Sequence, residues 1–408
     1  MWTPGLCQQS PALPGFFVSD RELPREPGTL IVPMSFSPTS EPFRVLVIGG
    51  YGFFGRRLVE RLSLQAGLHV IVAGRSAAQA AALVDELRPQ AQATLGGVGF
   101  DAMSDELPSW LDGLRVRAVV NASGPFQGQD YRVALACTAA GVHYLDLADG
   151  RDFVAGIAAV DVAATAAGVC VLSGASSVPA LSDAAIADMT RGWQRVDAID
   201  IGISPGNRTE RGLSTIQAGL SYCGRPIRHD DGRALTGWLR LRLHRYPAPV
   251  GWRPLSPCEV PDLAVLPARY PGRPRVRFGA GLELFALHLG MNAMALAGRL
   301  GVVRDWVAHA PWLKRWSDRF STLGSDAGAM HVAVRGLAAD GRPARRTWTL
   351  LATDGDGPWV PTLAAAALVR KLAAGEAPAI GARPCVGELT LEDFARETSG
   401  RKIAWAVR

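Results

Sequence analysis

The residues with the plainest chemical purpose in this chain are glycines. Residues 44–57 read Arg-Val-Leu-Val-Ile-Gly-Gly-Tyr-Gly-Phe-Phe-Gly-Arg-Arg. A short apolar run, Val45 to Ile48, ends in glycines, and Gly50, Gly52 and Gly55 then fit G-x-G-x-x-G ahead of an amphipathic stretch. Strand, glycine turn and helix in that order are the context in which such glycines hold a dinucleotide. Gly50 permits the tight turn, Gly52 lets the backbone approach a pyrophosphate, and Gly55 lets the helix pack closely on its strand. The helix N-terminus then offers N–H groups and a positive dipole end to the phosphates. The spacing assigns Gly49, Gly50, Tyr51, Gly52, Phe53, Phe54 and Gly55 to a dinucleotide site, with a plain glycine turn as the weaker alternative.

The next apolar run, His69 to Ala73, ends in Gly74-Arg75-Ser76. An NAD site usually places an acid about 20 residues past the glycines, to hold the ribose 2′-hydroxyl. No acid stands here. Arg75 suits a 2′-phosphate and Ser76 offers it a hydrogen bond, so the expected cofactor is NADP(H) over NAD(H). The competing reading makes Arg75 a solvated loop arginine in an arginine-rich protein. Asp101, which closes a short strand from Val98 to Phe100, is expected near the adenine. Ser123-Gly124-Pro125-Phe126 follows the strand from Val116 to Ala122 and completes the cofactor set.

Hydride transfer needs a nicotinamide held against an electrophilic carbon, and a proton donor or acceptor beside it. Polar residues follow the strands that close at Ala122, Leu147 and Leu172. Tyr131 is a candidate proton relay, and Asp149 a candidate base or holder of a substrate amine. Gln127, Arg151, Ser176 and Ser177 are candidate substrate ligands. Each has a bland counterpart: Asp130 simply caps the helix that Tyr131 opens, and Asp149-Gly150 is a good turn. An iminium substrate arrives protonated and needs no strong side-chain acid. Tyr222-Cys223 and His229-Asp230-Asp231 have no partner spacing for a nucleophile or metal site and are read as structural or surface residues. Gly174-Ala175-Ser176-Ser177 lacks the closing glycine of a hydrolase elbow. No metal site is expected.

The elements that position these residues alternate. Phe54, Leu58 and Leu62, widened by Val59, make one buried helix face. Ala77 to Leu87 reads as a second helix, Tyr131 to Ala140 and Phe153 to Ala167 as two more, with strands at His143 to Leu147 and Val169 to Leu172. Glycines stop the helices. The pattern is a doubly wound parallel sheet over residues 43–180. Residues 1–42, rich in Pro, Ser and Gly, read as a disordered or loosely packed arm without a signal peptide, and Met34 as an alternative start.

Past Asp200 the alternation breaks down. Gly237 to Leu243 is a short strand candidate, and Met330 to Leu337 with Arg345 to Leu351 form a hairpin around Asp340-Gly341. An α+β domain with antiparallel strands is expected over 181–360, and a helix from Pro361 to Ala374 leads a C-terminal segment, 361–408, back to the first domain. Leu282 to Leu300 is apolar but interrupted by Glu283, His288, Asn292 and Arg299, with Trp306, Trp312 and Trp316 after it. The favoured reading is a buried helical layer with aromatic caps, at a dimer interface. A membrane-surface contact is kept as the less favoured one.

Composition excludes some classes. The 408 residues carry a net charge of +6, yet the basic residues are spread along the chain and only Lys314, Lys371 and Lys402 are lysines. That looks like compositional bias rather than a clustered footprint, so no nucleic acid partner is expected. The six cysteines are dispersed, Cys137 and Cys170 in apolar surroundings, which points to reduced thiols and a cytoplasmic protein. No stretch is cleanly apolar over a membrane-spanning length.

Taken together, VIGGYGFFGRRL, AGRS, NASGPFQGQDYRVALACTAAGVHYLDLADG and SGASSVPALS, with the later DGDGPWVP and LAAAALVRKLAAG, make the chain resemble the saccharopine dehydrogenase-like family, in its saccharopine reductase branch. The resemblance covers roughly 43–190 and returns near 325–390. It implies a Rossmann domain followed by an inserted substrate and dimerisation domain, a homodimer, and a nicotinamide-dependent oxidoreductase. Members act on imine linkages or, in lipid-related branches, on carbon–carbon double bonds. No paired-arginine motif for the carboxylates of saccharopine is visible. The expectation is thus an NADP(H)-dependent oxidoreductase of a small imine, amino-acid-type or keto substrate. The alternatives are a lipid-linked enoyl reductase and a non-catalytic nucleotide-binding scaffold or redox sensor.

Overall fold

The computed structural model describes residues 41–408 except 229–231 and 233. The arm at 1–40, with Met34 and Cys7, and the His229-Asp230-Asp231 run lie outside the described residues. The first six strands are β1 (Phe43–Ile48), β2 (Leu68–Gly74), β3 (Thr94–Gly99), β4 (Ala118–Asn121), β5 (His143–Asp146) and β6 (Cys170–Ser173). They are parallel, in the spatial order β6-β5-β4-β1-β2-β3. Helices run between them, so both faces are covered and the strands are continuous apolar runs. β1 shows this directly. Val45 and Val47 enter one hydrophobic core while Leu46 and Ile48 enter the other on the opposite face.

β7 (Arg195–Ser204) opens a second sheet. β8 (Pro226–Arg228) and β9 (Ala234–Thr236) form a small ribbon, and β10 (Arg242–Arg245), β11 (Trp252–Pro257), β12 (Arg275–Ala280), β13 (Gly328–Leu337) and β14 (Pro343–Ala352) follow. The chain then sends β15 (Gly381–Pro384) back to the parallel sheet beside β6, and β16 (Ile403–Val407) to the second sheet beside β14. The second sheet has the order β10-β11-β12-β7-β13-β14-β16 and is mixed, with β12 and β7 parallel and the other pairs antiparallel. Ile199, Ile201, Val332, Val334, Trp348 and Leu350 point to its buried face. The architecture is α/β, a Rossmann-type parallel sheet joined to a mixed sheet.

Three local expectations are corrected. The helix expected over 153–167 is broken into Arg151–Gly156, a 3-10 turn Ile157–Val160, and Asp161–Ala167. The break lets Asp161 turn its carboxylate to the Ala382 N–H at 2.7 Å, which docks β15. Of the single strand expected over 237–243, residues 237–241 are a turn between β9 and β10, and only Arg242 and Leu243 are strand, at the start of β10. Trp238 and Arg240 have positive φ there, and the indole of Trp238 donates to the Gly219 carbonyl at 2.8 Å.

The third correction concerns residues 282–300. The helix Phe285–Arg299 is not a buried layer within its own chain. Only Leu287, His288 and Ala295 are buried, while Phe285, Leu289, Leu296 and Leu300 form an exposed stripe. Trp312 and Trp316 of the helix Ala310–Asp318 are also exposed, at 58% and 43%. Of the polar interruptions, Glu283, His288 and Asn292 are inward anchors, while Arg299 is exposed. Glu283 accepts hydrogen bonds from Asn207 and Ser325 and pairs with Arg253 at 3.0 Å, and His288 meets Ser256 at 2.9 Å.

Candidate functional site

The strand order reverses at β1, whose neighbours are β2 on one side and β4 on the other. Ligands of open α/β sheets sit in the crevice beyond the carboxyl ends of the strands at such a switch point. The glycine turn occupies that crevice. Gly49 has φ +72°, and the Gly52 N–H donates to its carbonyl at 2.8 Å. The left-handed residue is therefore Gly49 rather than Gly50, because the chain reverses immediately after Ile48. A Cβ on Gly49 would lie 3.0 Å from the Ala122 carbonyl carbon, and one on Gly55 would overlap the Gly49 oxygen. So the turn, the end of β4 and the helix Phe53–Ser63 are mutually in contact. That helix has no side-chain cap and no acid in its first turn, which leaves its N-terminal N–H groups open to a phosphate.

Tyr51 crosses from this turn to the end of β2. Its ring covers Gly74 and its hydroxyl accepts the Ser76 N–H at 2.9 Å. Ser76 caps the helix Ala77–Leu87 by accepting from Gln79 N–H, which leaves its own hydroxyl proton free to donate outward. Arg75 is exposed beside it. Asp101 is exposed after β3, where its carboxylate accepts the Met103 N–H. Phe53 carries the Arg57 guanidinium over its ring at 4.2 Å and meets Gly212 of the second half, while Phe54 packs edge-on against Phe53.

The Ser123–Gln127 segment is held by residues that the sequence reading passed over. Asn121, buried at the end of β4, accepts from the Ser123 N–H and hydroxyl. Gln129 donates to the Pro125 and Ser123 carbonyls across the cis Gly124–Pro125 bond. Phe126 is buried against Phe153. The signal for Asn121 was its place as the last residue of an apolar strand, where a buried polar group must find partners.

Asp149 is half-buried and accepts from the Gln127 amide at 3.1 Å. Burial holds its pKa above the ordinary carboxylate range, against the opposing effect of that hydrogen bond. Tyr131 lies elsewhere in function. Its hydroxyl donates to the Phe153 carbonyl at 2.9 Å, and burial, Asp146 and Asp152 raise its pKa. The tyrosine thus ties two helices together and its proton is engaged. Asp130 pairs with the Arg132 guanidinium and also accepts the Arg132 N–H at 3.2 Å, at the first residue of the helix Arg132–Ala139. Arg151 donates to the Arg228 carbonyl at 2.6 Å and faces Glu259 at 3.6 Å, linking the parallel sheet to the second half. Ser176 and Ser177 are buried at the end of β6 beside the left-handed Gly174.

Two further residues shape the crevice. Asp146, fully buried at the end of β5, accepts from Gly174 N–H, Ala148 N–H and the Ser173 hydroxyl, and burial pushes its pKa up to about 6. It ties the ends of β5 and β6. Tyr222, read from sequence as structural or surface, is half-buried, and its pKa is raised by burial and by Cys258, with Asp149 and Glu259 adding to it. It therefore lies within the field of Asp149. Ser256 and His288 make no nucleophile pair. Leu282 N–H donates to His288 Nδ1, so the neutral ring bears its proton on Nε2, facing Ser256 Oγ. The serine accepts, and no base is available to it.

Residues 45–182 match the family described as saccharopine dehydrogenase NADP binding domain. A search of curated proteins gave no match. Among solved structures, apo saccharopine dehydrogenase (L-Glu forming) from Saccharomyces cerevisiae is similar over 90% of this chain and 99% of its own, at 12% identity and a TM-score of 0.60. A mutant meso-dapdh with DAP from Clostridium tetani aligns over 86% of this chain and 96% of its own at 11% identity and TM-score 0.42. GenD2 from gentamicin A biosynthesis in complex with NAD aligns over 75% and 72% at 16% identity and TM-score 0.35. Of these three, the yeast enzyme is the one close enough in shape to speak to the fold. The glycine turn, the open helix end and the switch-point crevice are those of a nicotinamide dinucleotide site, in a segment, residues 45–182, that matches the saccharopine dehydrogenase NADP binding domain, within a fold similar to that of saccharopine dehydrogenase.

Proposed function

We propose that the chain is an NADP(H)-dependent oxidoreductase that moves hydride to or from the carbon of a small imine, amino-acid-type or keto substrate. The observation that carries this reading is the meeting of the glycine turn, the Ser123–Gln127 segment and the Gln127–Asp149 pair beyond the ends of neighbouring strands β1, β4 and β5. The open N-terminus of the helix Phe53–Ser63 and Gly52 receive the pyrophosphate. Arg75 and Ser76 receive the 2′-phosphate. The bound dinucleotide supplies the hydride chemistry. Asp149, held by Gln127, accepts or orients the proton of the substrate nitrogen or oxygen. Its raised pKa suits a group that changes protonation during turnover.

Titration of NADPH and NADH into wild type and Arg75→Ala tests the cofactor assignment. NADPH affinity falls about tenfold or more, the worth of a charge-assisted hydrogen bond, while NADH affinity stays. Equal changes for both cofactors overturn it. A panel of keto acids with amines, followed by enoyl thioesters, then names the reaction class. Asp149→Asn loses roughly 10²-fold or more in turnover if Asp149 is the base, with NADPH binding retained.

A second reading, lipid-linked enoyl reduction, is favoured by the exposed stripe of Phe285 and Leu289. Beside it lies an apolar groove of about 310 Å³ lined by Phe285, Trp316, Phe320 and Leu323. Tryptophan and arginine next to apolar surface suit a lipid interface. Co-sedimentation with anionic liposomes decides this point, and protein that stays in the supernatant removes the reading.

A further inference from the structure

The arginines that the sequence disperses gather on the open part of one face of the second sheet, beyond the buried His331. In one register row, Arg275 of β12 pairs with Ala198 of β7, Ala198 with Arg335 of β13, and Arg335 with Arg345 of β14. In the next row Arg277 pairs with Asp200, Asp200 with Ala333, and Ala333 with Thr347. All four arginines are exposed. Adjacent strands are about 4.8 Å apart and same-face neighbours along a strand about 7 Å apart. Arg335 and Arg345 are thus anchored about 5 Å apart, and Arg275 about 10 Å from Arg335. Ala198 and Ala333 are too small to fill the space between them. The result is a broad hollow of about 1400 Å³ with an alanine floor and a guanidinium rim.

The charge of Arg277, Arg335 and Arg345 is not balanced from within by a carboxylate among the described residues. Asp197 and Asp200 reach the hollow, but Asp197 is engaged by Arg195 at 2.6 Å, and Asp200 by both terminal nitrogens of Arg242 at 2.6 and 2.8 Å. Among the described residues, no carboxylate pairs with Arg277, Arg335 or Arg345. Like charges directly opposite on neighbouring strands are destabilising, so the Arg335–Arg345 pair works against the fold unless an anion lies over it.

We propose that this face is a binding site for a small polyphosphate, an anion whose linked phosphates span several guanidinium groups at once. Guanidinium forks match phosphate oxygens in pairs. A row about 15 Å long suits linked phosphates better than a single one. A second copy of the same face would set arginines against arginines. A single-stranded nucleic acid would want exposed aromatic platforms, and these register rows carry none.

The test uses the full chain saturated with NADPH, so that the dinucleotide site cannot answer for the second site. Tripolyphosphate is titrated by calorimetry and by thermal unfolding, with orthophosphate at equal phosphorus as the control. Tripolyphosphate binds saturably and raises the unfolding midpoint, orthophosphate binds at least about tenfold more weakly, and added salt weakens both. In Arg335→Ser/Arg345→Ser, tripolyphosphate affinity falls at least about tenfold, NADPH affinity is unchanged, and the ligand-free protein unfolds no earlier than wild type. Arg277→Ser, one row away, gives a smaller loss and serves if the double variant misfolds. Absence of saturable binding, or equal binding by wild type and variants, overturns the proposal. So does a wild-type dimer that Arg335→Ser/Arg345→Ser converts to monomer, because the face is then an interface between copies. None of these readouts depends on substrate turnover, so they stand apart from the proposed oxidoreductase activity.

Discussion

β1 of the parallel sheet and β13 of the mixed sheet are both valine-bearing strands, yet they meet their surroundings differently. In β1, successive residues Val45, Leu46, Val47 and Ile48 are all buried, because helices cover both faces. In β13, Val332 and Val334 are fully buried while Ala333 is half-buried and Arg335 exposed. One sheet spends both faces on cores and has only its strand ends to offer a ligand. The other covers one face and part of the second, where His331 is buried under Tyr246, and leaves open the stretch around Ala333 and Arg335. Binding at strand ends depends on backbone geometry, hence the glycines. Binding on an open face depends on side chains brought into register, hence the arginines.

Paired glycine substitutions break this comparison most sharply. Gly55→Val places a side chain into the Gly49 carbonyl and dismantles the turn. NADPH affinity drops by about a hundredfold or more, equal to about 3 kcal/mol, measured by fluorescence titration beside a circular-dichroism check of folding. Gly202→Val in β7 strikes the His331 ring and the Leu255 side chain instead. It costs roughly 1–3 kcal/mol in denaturant unfolding, as overpacking does, and leaves the NADPH affinity of the folded protein unchanged. If Gly202→Val impairs NADPH binding as much as Gly55→Val, the two sheets do not divide the work as described.

Trp348→Ala tests the covered face of the mixed sheet. Trp348 is fully buried and packs near Trp405 of β16. Its removal costs about 3–5 kcal/mol, read from urea midpoints. A loss below about 1 kcal/mol means that this face is not a core.

The smallest effect is in pH. His331 stacks on His244 at 3.8 Å, and its Nδ1 lies 2.9 Å from the Tyr246 hydroxyl. Burial first, then His244 and Arg242, push its pKa down to about 2. Below the ordinary value near 6.5 the unfolded chain takes up a proton that the native state refuses. The contribution of His331 is therefore complete above that pH and is lost as pH falls toward 2, by about 1 kcal/mol per pH unit. Asp146 and Asp262, raised to about 6 and about 7, act in the opposite sense, losing stability as pH rises through about 4 to those values. The difference between wild type and His331→Gln isolates the histidine, and it shrinks as pH falls from 7 to 5. A difference independent of pH shows that His331 takes up its proton in the native state as readily as in the unfolded chain.

Much of the parallel sheet was legible because its signals are local. Apolar runs of strand length, Gly168 and Gly141 after helices, and the glycine spacing each act over a few residues. The break in 153–167 was not legible, because its cause is Asp161 meeting Ala382, more than two hundred residues away. Asp149 and Gln127 were singled out separately, but their hydrogen bond was not foreseen. Tyr131 was singled out for its chemistry, while its bond to Phe153 depends on how two helices pack. The stripe from Phe285 to Leu300 has the composition of a buried helix, and sequence periodicity alone does not say whether an apolar face has a partner.

By itself the sequence determined the alternation of strands and helices, the glycine turn at the end of β1, and the absence of an acid where Arg75 stands. These follow from steric and hydrophobic preferences that act along a short length of chain. Only the tertiary structure decided that Asp149 meets Gln127, that Tyr131 is committed to a backbone carbonyl, and that Arg275, Arg335 and Arg345 share one row. Strand register fixes which distant residues become neighbours, and register is set by the whole sheet and what packs upon it.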